Sequence, residues 1–103
     1  MNVQSAVGEE QVLEALQDVL DPELGLDFVT LGLIYGIEIR GDDVEVVFSL
    51  TSPGCPIGPQ VATQMVELVG ALDGVRSVTP RLVFQPRWSK ERLSEDARFA
   101  LGL

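Results

Sequence analysis

The sequence predicts an α+β domain of two layers, in the order helix, strand, strand, helix, strand, helix, with helices covering a three-stranded sheet. Three observations lead there. Apolar residues recur at helical spacing in two segments, over residues 9–20 and 59–72. They alternate with period two in three others, over residues 33–40, 44–50 and 75–84. Glycine, proline and acidic turn formers cluster between these patterns. A chain of 103 residues, 46% of them hydrophobic, is one domain with enough apolar side chains for a core.

Residues 1–7 read as a flexible N-terminus and residues 8–103 as the single domain. In the first helix Val12, Leu13, Leu16, Val19 and Leu20 share a face opposite Glu10, Glu14, Gln17 and Asp18. Glu9 and Glu10 fall in its first turn, where the helix dipole favours acids. Pro22 stops it by pushing Asp21 out of the α region, and Asp21 to Leu26 becomes a turn or loop. Two strands follow. Leu33, Tyr35, Ile37 and Ile39 alternate with Ile34, Gly36, Glu38 and Arg40, and Val44, Val46, Phe48 and Leu50 with Glu45, Val47 and Ser49. The polar turn Arg40-Gly41-Asp42-Asp43 joins them into a hairpin, with Ile37, Ile39, Val46 and Phe48 facing the helices. Pro59, with Gly58 near the cap, opens the second helix. Val61, Met65, Leu68, Val69 and Leu72 form its buried stripe, and Asp73-Gly74 ends it. Pro80 cannot donate to a ladder, so the third strand, Val75 to Phe84, lies at an edge or is bulged. Ser89 caps a short last helix, with Trp88 and Leu93 as a hydrophobic staple. Phe84, Trp88 and Phe99 read as core.

Composition narrows the function. No apolar run approaches the roughly 18 residues of a membrane span. The first residues carry no basic flank and no long apolar stretch, so they do not read as a signal peptide. One cysteine makes no internal disulfide, which fits a reducing cytoplasm. The absence of histidine removes the commonest general base and zinc ligand. The net charge of −9 is uneven: residues 1–52 hold eleven acids against Arg40, and residues 53–103 hold five acids and six bases. An acidic front argues against nucleic acid and suits a basic partner protein, or simply keeps a small domain in solution.

The richest local signal is Thr51-Ser52-Pro53-Gly54-Cys55-Pro56-Ile57-Gly58-Pro59, which places the sole cysteine between a strand and a helix. The positive end of a helix dipole favours thiolate, the form that attacks electrophiles and binds metals. The surrounding prolines and glycines stiffen the loop and offer little to bury the sulfur. Cys55 is therefore read as a presented thiol; the competing reading is a small buried hydrophobe. Asp21 and Glu23 flank Pro22 and are read two ways, as a rigid acidic corner reaching the thiol loop or as a local turn with a solvated acid. Thr51 and Ser52 either bond the loop backbone or donate to sulfur or ligand.

Asp21-Pro22-Glu23, Leu31-Gly32-Leu33-Ile34-Tyr35, Thr51-Ser52-Pro53-Gly54-Cys55-Pro56, and Trp88-Ser89 with Ser94-Glu95 and Ala97-Arg98 stand in the order and spacing of a known family. With them the chain resembles, over residues 9–102, the metal-sulfur cluster assembly family, which includes SufT- and PaaD-like proteins and a eukaryotic branch in cytosolic iron–sulfur assembly. The resemblance implies an α+β fold and a role in maturing iron–sulfur proteins. It carries the loop cysteine onto Cys55, the acidic corner onto Asp21 and Glu23, and the hydroxyl pair onto Thr51 and Ser52. Thr30 stands where the family often has an acid. The chain shows no cysteine-rich tail of the PaaD kind, so it is similar to the stand-alone form.

The function expected from these readings is an accessory factor in iron–sulfur cluster assembly or delivery. Clusters are commonly held by four thiolates, and one chain offers one. No cofactor is expected to bind the monomer stably; Cys55 is expected to be a transient or shared ligand to iron or a cluster. The shell would be completed by a second copy in a homodimer, or by an iron–sulfur scaffold, carrier or client protein. No nucleic-acid or membrane partner is expected. The alternative is an adaptor subunit without metal or thiol chemistry of its own. A thiol enzyme ranks below both, because without histidine Asp21 or Glu23 would have to act as base, and an unperturbed carboxylate is poorly suited to that task.

Overall fold

The computed structural model describes residues 7–22, 24–51, 56–93, 95, 98–99 and 102. Its elements are α1 (Glu9–Leu16), β1 (Ile34–Arg40), β2 (Asp43–Phe48), α2 (Gly58–Gly70), β3 (Ser77–Leu82) and a single 3-10 turn, Lys90–Arg92. The sheet order is β1-β2-β3. β1 and β2 form the expected antiparallel hairpin, and β3 runs parallel to β2. Parallel neighbours need a crossover, and α2 supplies it. β2 is thus the central strand and β3 an edge, where Pro80 removes no inner ladder bond.

Each element follows from its residues, with informative departures. The N–H of Gly8 donates to the Gln11 side-chain oxygen at 2.8 Å, half of a capping box that opens α1. α1 ends at Leu16 rather than near Leu20. Val19 and Leu20 leave the helix because their backbones pair with a later segment: Phe28 N–H donates to Val19 C=O at 2.9 Å, and Leu20 bridges Asp27. In β1 the simple alternation fails at its start. Ile34 pairs with Phe48 but Gly36 with Val47, so Tyr35 is the extra residue of a β-bulge. Ile34, Ile37 and Ile39 therefore share the core face with Phe48, Val46 and Val44, whereas Tyr35 sends its hydroxyl to the Pro86 carbonyl at 2.7 Å.

The core lies between the sheet and the two helices. It takes Val12 and Leu16 from α1, Val61, Met65 and Val69 from α2, Val44, Val46 and Phe48 from β2, and Phe28, Leu31 and Leu33 from the segment before β1. Phe28 and Phe48 meet as a tilted pair with centroids 6.4 Å apart. Trp88 and Phe84 pack against this core, as expected. Phe99 does not: it is 89% exposed, while the neighbouring Arg98 is half-buried. The last helix begins as the Lys90–Arg92 turn, and its expected continuation from Ser94 falls largely outside the described residues. No helix among the described residues is long and apolar enough to cross a membrane.

Candidate functional site

The site is built where β2 ends and α2 begins. Two hydrogen bonds extend the sheet past β2: Ser49 N–H donates to Leu33 C=O and Val83 N–H to Phe48 C=O, each at 2.9 Å. Leu50 is buried and Thr51 half-buried as the chain leaves the sheet. The chain re-enters regular structure at Ile57, the N-cap of α2. Gly58, the first helical residue, is buried. A Cβ there would stand 3.3 Å from Leu82 and 3.7 Å from Leu50, so glycine lets the helix start settle against the ends of both parallel strands. Leu50 and Gly58 are thereby held on one apolar platform with Leu82. The carboxyl end of parallel strands, facing a helix N-terminus, is where open α/β sheets bind ligands. No side chain among the described residues caps α2, and its first turn carries no acid, so its positive end is not neutralised there.

Of the five residues expected at the site, Asp21 and Thr51 are among the described residues; Glu23, Ser52 and Cys55 lie outside them. Asp21 is 1% exposed. Its N–H donates to Leu26 C=O at 2.9 Å, its C=O accepts from Gly25 N–H at 2.8 Å, and its Oδ1 accepts from Leu24 N–H at 3.1 Å. The carboxylate thus shapes the corner from within, with Gly25 supplying the positive φ that the turn needs. These bonds match the local-turn reading of Asp21. Among the described residues no three His, Cys, Asp or Glu side chains gather closely enough to hold a metal.

A second set of contacts had no forecast from the sequence. Asp27 caps a turn by accepting from Thr30 N–H at 2.9 Å and from the Thr30 hydroxyl at 2.6 Å. That turn presents Leu31 to Tyr35 to the C-terminal segment. Trp88 Nε1 donates to Leu31 C=O at 2.7 Å, and the Arg92 guanidinium lies 4.4 Å from the Tyr35 ring centroid. Gly32, at φ +72°, sits where a Cβ would be 2.4 Å from the Arg92 carbonyl oxygen. The polar tips of Trp88 and Tyr35 were the available signal, since such groups seek a partner when buried. Residues 86–92 thus strap the segment whose Leu33 also receives the end of β2.

Comparison with known proteins agrees with this frame. The family described as "Iron-sulfur cluster assembly protein" matches residues 9–79. The chain is 34% identical over 96 residues to the iron–sulfur protein maturation auxiliary factor YitW of Bacillus subtilis, covering 92% of this chain and 94% of that protein. It is 38% identical over 86 residues to the auxiliary factor SufT of Staphylococcus aureus, covering 82% and 98%. A conserved hypothetical protein of Thermotoga maritima superposes with a TM-score of 0.83 at 38% identity, covering 98% of this chain and all of that one.

Proposed function

The chain belongs to the iron–sulfur cluster assembly protein family, and from that premise we propose that it is a non-enzymatic accessory factor that presents the Cys55 thiolate to a cluster or iron in transit. The observation that carries this reading is the platform of Leu50, Gly58 and Leu82, which brings together the described residues on either side of the sole cysteine in sequence, at a helix start without a side-chain cap among the described residues. Such a position stabilises thiolate over thiol. The cluster is cargo here. One thiolate out of a usual four makes an incomplete shell that binds weakly and releases readily. The remaining ligands come from a second copy of the chain or from an iron–sulfur scaffold, carrier or client protein, in the cytoplasm. Asp21 sets the acidic corner, Glu23 tunes or completes the site, and Thr51 and Ser52 hold the loop.

Cys55→Ser tests this directly. The swap is near-isosteric, and a loop position of this kind shifts stability by no more than about 0.5 kcal/mol. A serine hydroxyl stays protonated at neutral pH and is a harder, poorer ligand for iron–sulfur clusters. The variant is expected to melt as wild type yet fail to restore a cluster-dependent enzyme in a strain lacking the protein. Anaerobic reconstitution with iron and sulfide, read by visible absorption and iron counting, should show the same loss. Full rescue by folded Cys55→Ser would transfer the function to an adaptor role without thiol chemistry.

A further inference from the structure

The helical layer carries a groove that the cysteine loop does not use. It has a volume of about 330 Å3 and runs between α1 and α2, with Ala15, Leu68 and Leu72 as its apolar part and Gln11, Glu14 and Asp18 on the α1 side. Glu14 and Asp18 are exposed and form no ion pair among the described residues. Neither α1 nor α2 contains a lysine or arginine, and before Arg76 the one base in the chain is Arg40, on β1. The sheet acids contrast with this. Glu38 holds Arg40 at 2.6 Å, Asp43 holds Arg76 at 3.0 Å, and Glu45 lies 3.7 Å from Arg81.

Position adds to the contrast. Asp18 immediately follows the C-cap of α1, and Asp73 follows the end of α2. Both acids stand near the negative ends of helix dipoles, where cations would be favoured. An apolar strip edged by acids, on helices that lack their own counter-charges, is complementary to a segment carrying aliphatic side chains with lysine or arginine beside them. A phosphate-bearing surface would be repelled.

We infer that the α1–α2 groove is a docking surface for a basic amphipathic helix of a partner protein, with the partner's aliphatic side chains on Ala15, Leu68 and Leu72 and its cations on Glu14 and Asp18. This deepens the accessory-factor reading, because it lets a partner be held on the helices while the loop at the sheet end handles the cargo. The surface involves neither cluster nor thiol, so it stands or falls separately from Cys55.

The test uses the full chain and a fluorescent synthetic peptide with leucine and lysine at amphipathic helical spacing. Binding is read by anisotropy at low salt and by amide chemical-shift mapping. Wild type should bind, with shifts centred on Gln11, Glu14, Ala15, Asp18, Leu68 and Leu72. The double variant Glu14→Gln/Asp18→Asn should bind about five- to tenfold more weakly. Glu38→Gln/Glu45→Gln removes the same charge from the sheet and should change affinity by less than about twofold. Cys55→Ser should bind as wild type does, and a peptide with glutamate in place of lysine should not bind. Equal losses in the helix and sheet variants, shifts centred outside the groove, or no binding by wild type would each overturn the inference.

Discussion

At Gly32 one added methyl group has nowhere to go. The residue holds φ +72°, a conformation that costs other L-residues about 1–2 kcal/mol. Its missing Cβ would sit 2.4 Å from the Arg92 carbonyl oxygen, a backbone atom that cannot swing aside. Overpacking typically adds about 1–3 kcal/mol. Gly32→Ala is therefore expected to lose about 2–5 kcal/mol in urea denaturation. A loss near zero would mean that residues 86–92 do not pack on this turn in solution. The sequence displayed Leu31-Gly32-Leu33 as a motif but not this reason for it, because the partner is a backbone carbonyl some sixty residues away. Asp21 shows the complementary case. Pro22 marked the corner from sequence alone, but that the Asp21 carboxylate accepts from Leu24 N–H, and its main-chain carbonyl from Gly25 N–H, is visible only in the folded turn.

Among the elements, β2 was the easiest to read and β1 the most misleading. Val44, Val46 and Phe48 alternate cleanly because β2 is central, with one face on the core. Phe48 is 1% exposed and meets Phe28, so Phe48→Ala should cost about 3–5 kcal/mol. A denaturation midpoint that hardly moves would invert the face assignment of the whole hairpin. β1 looked equally regular, yet a bulge at Tyr35 breaks its phase. A bulge is a property of register against a partner strand, and apolar residues at 33, 34, 35, 37 and 39 satisfy either phase. The last turn of α1 misleads for a related reason. Val19 and Leu20 keep helical spacing, but hydrogen bonding to residues 27 and 28 takes them into a bridge instead. The α2 reading succeeded within a residue at its start, because Gly58-Pro59 carries its own local geometry. That local punctuation located the helix start that follows Cys55 in sequence, whereas the platform of Leu50, Gly58 and Leu82 required the parallel β2–β3 pairing that no local pattern encodes.

For the molecule as a whole, charge sets the response to pH and salt. Asp43 is held below the ordinary carboxylate range: a 2.6 Å bond from the Ser77 hydroxyl, then bonds from Arg76, keep its pKa under the usual 3.8. A depressed folded value means that the stabilisation is complete above the unfolded pKa and is lost as pH falls through the folded one. Asp43→Asn should therefore flatten the acid limb of the stability profile below about pH 4, in thermal melts at stepped pH. Unchanged limbs in the two proteins would assign that acid loss to other carboxylates.

Salt probes the remaining acids. The net charge is −9, and the acids of the helical layer have no cation on their own helices. Self-repulsion of this kind destabilises a compact state. Against it stand the ion pairs Arg40–Glu38, Arg76–Asp43 and Arg81–Glu45, largely exposed and worth about 0–1 kcal/mol each. Going from about 0.01 M to about 0.15 M salt shortens the screening length from roughly 30 Å to roughly 8 Å. Repulsion among acids spread over the helices acts across such distances and is screened first, while the pairs act at contact. The midpoint of thermal unfolding is accordingly expected to rise by a few degrees over that range, about what a fraction of a kcal/mol gives in a domain of this size. A falling midpoint would show that the surface pairs outweigh the repulsion. It would also remove the electrostatic strain that makes the α1–α2 groove a place for a basic partner.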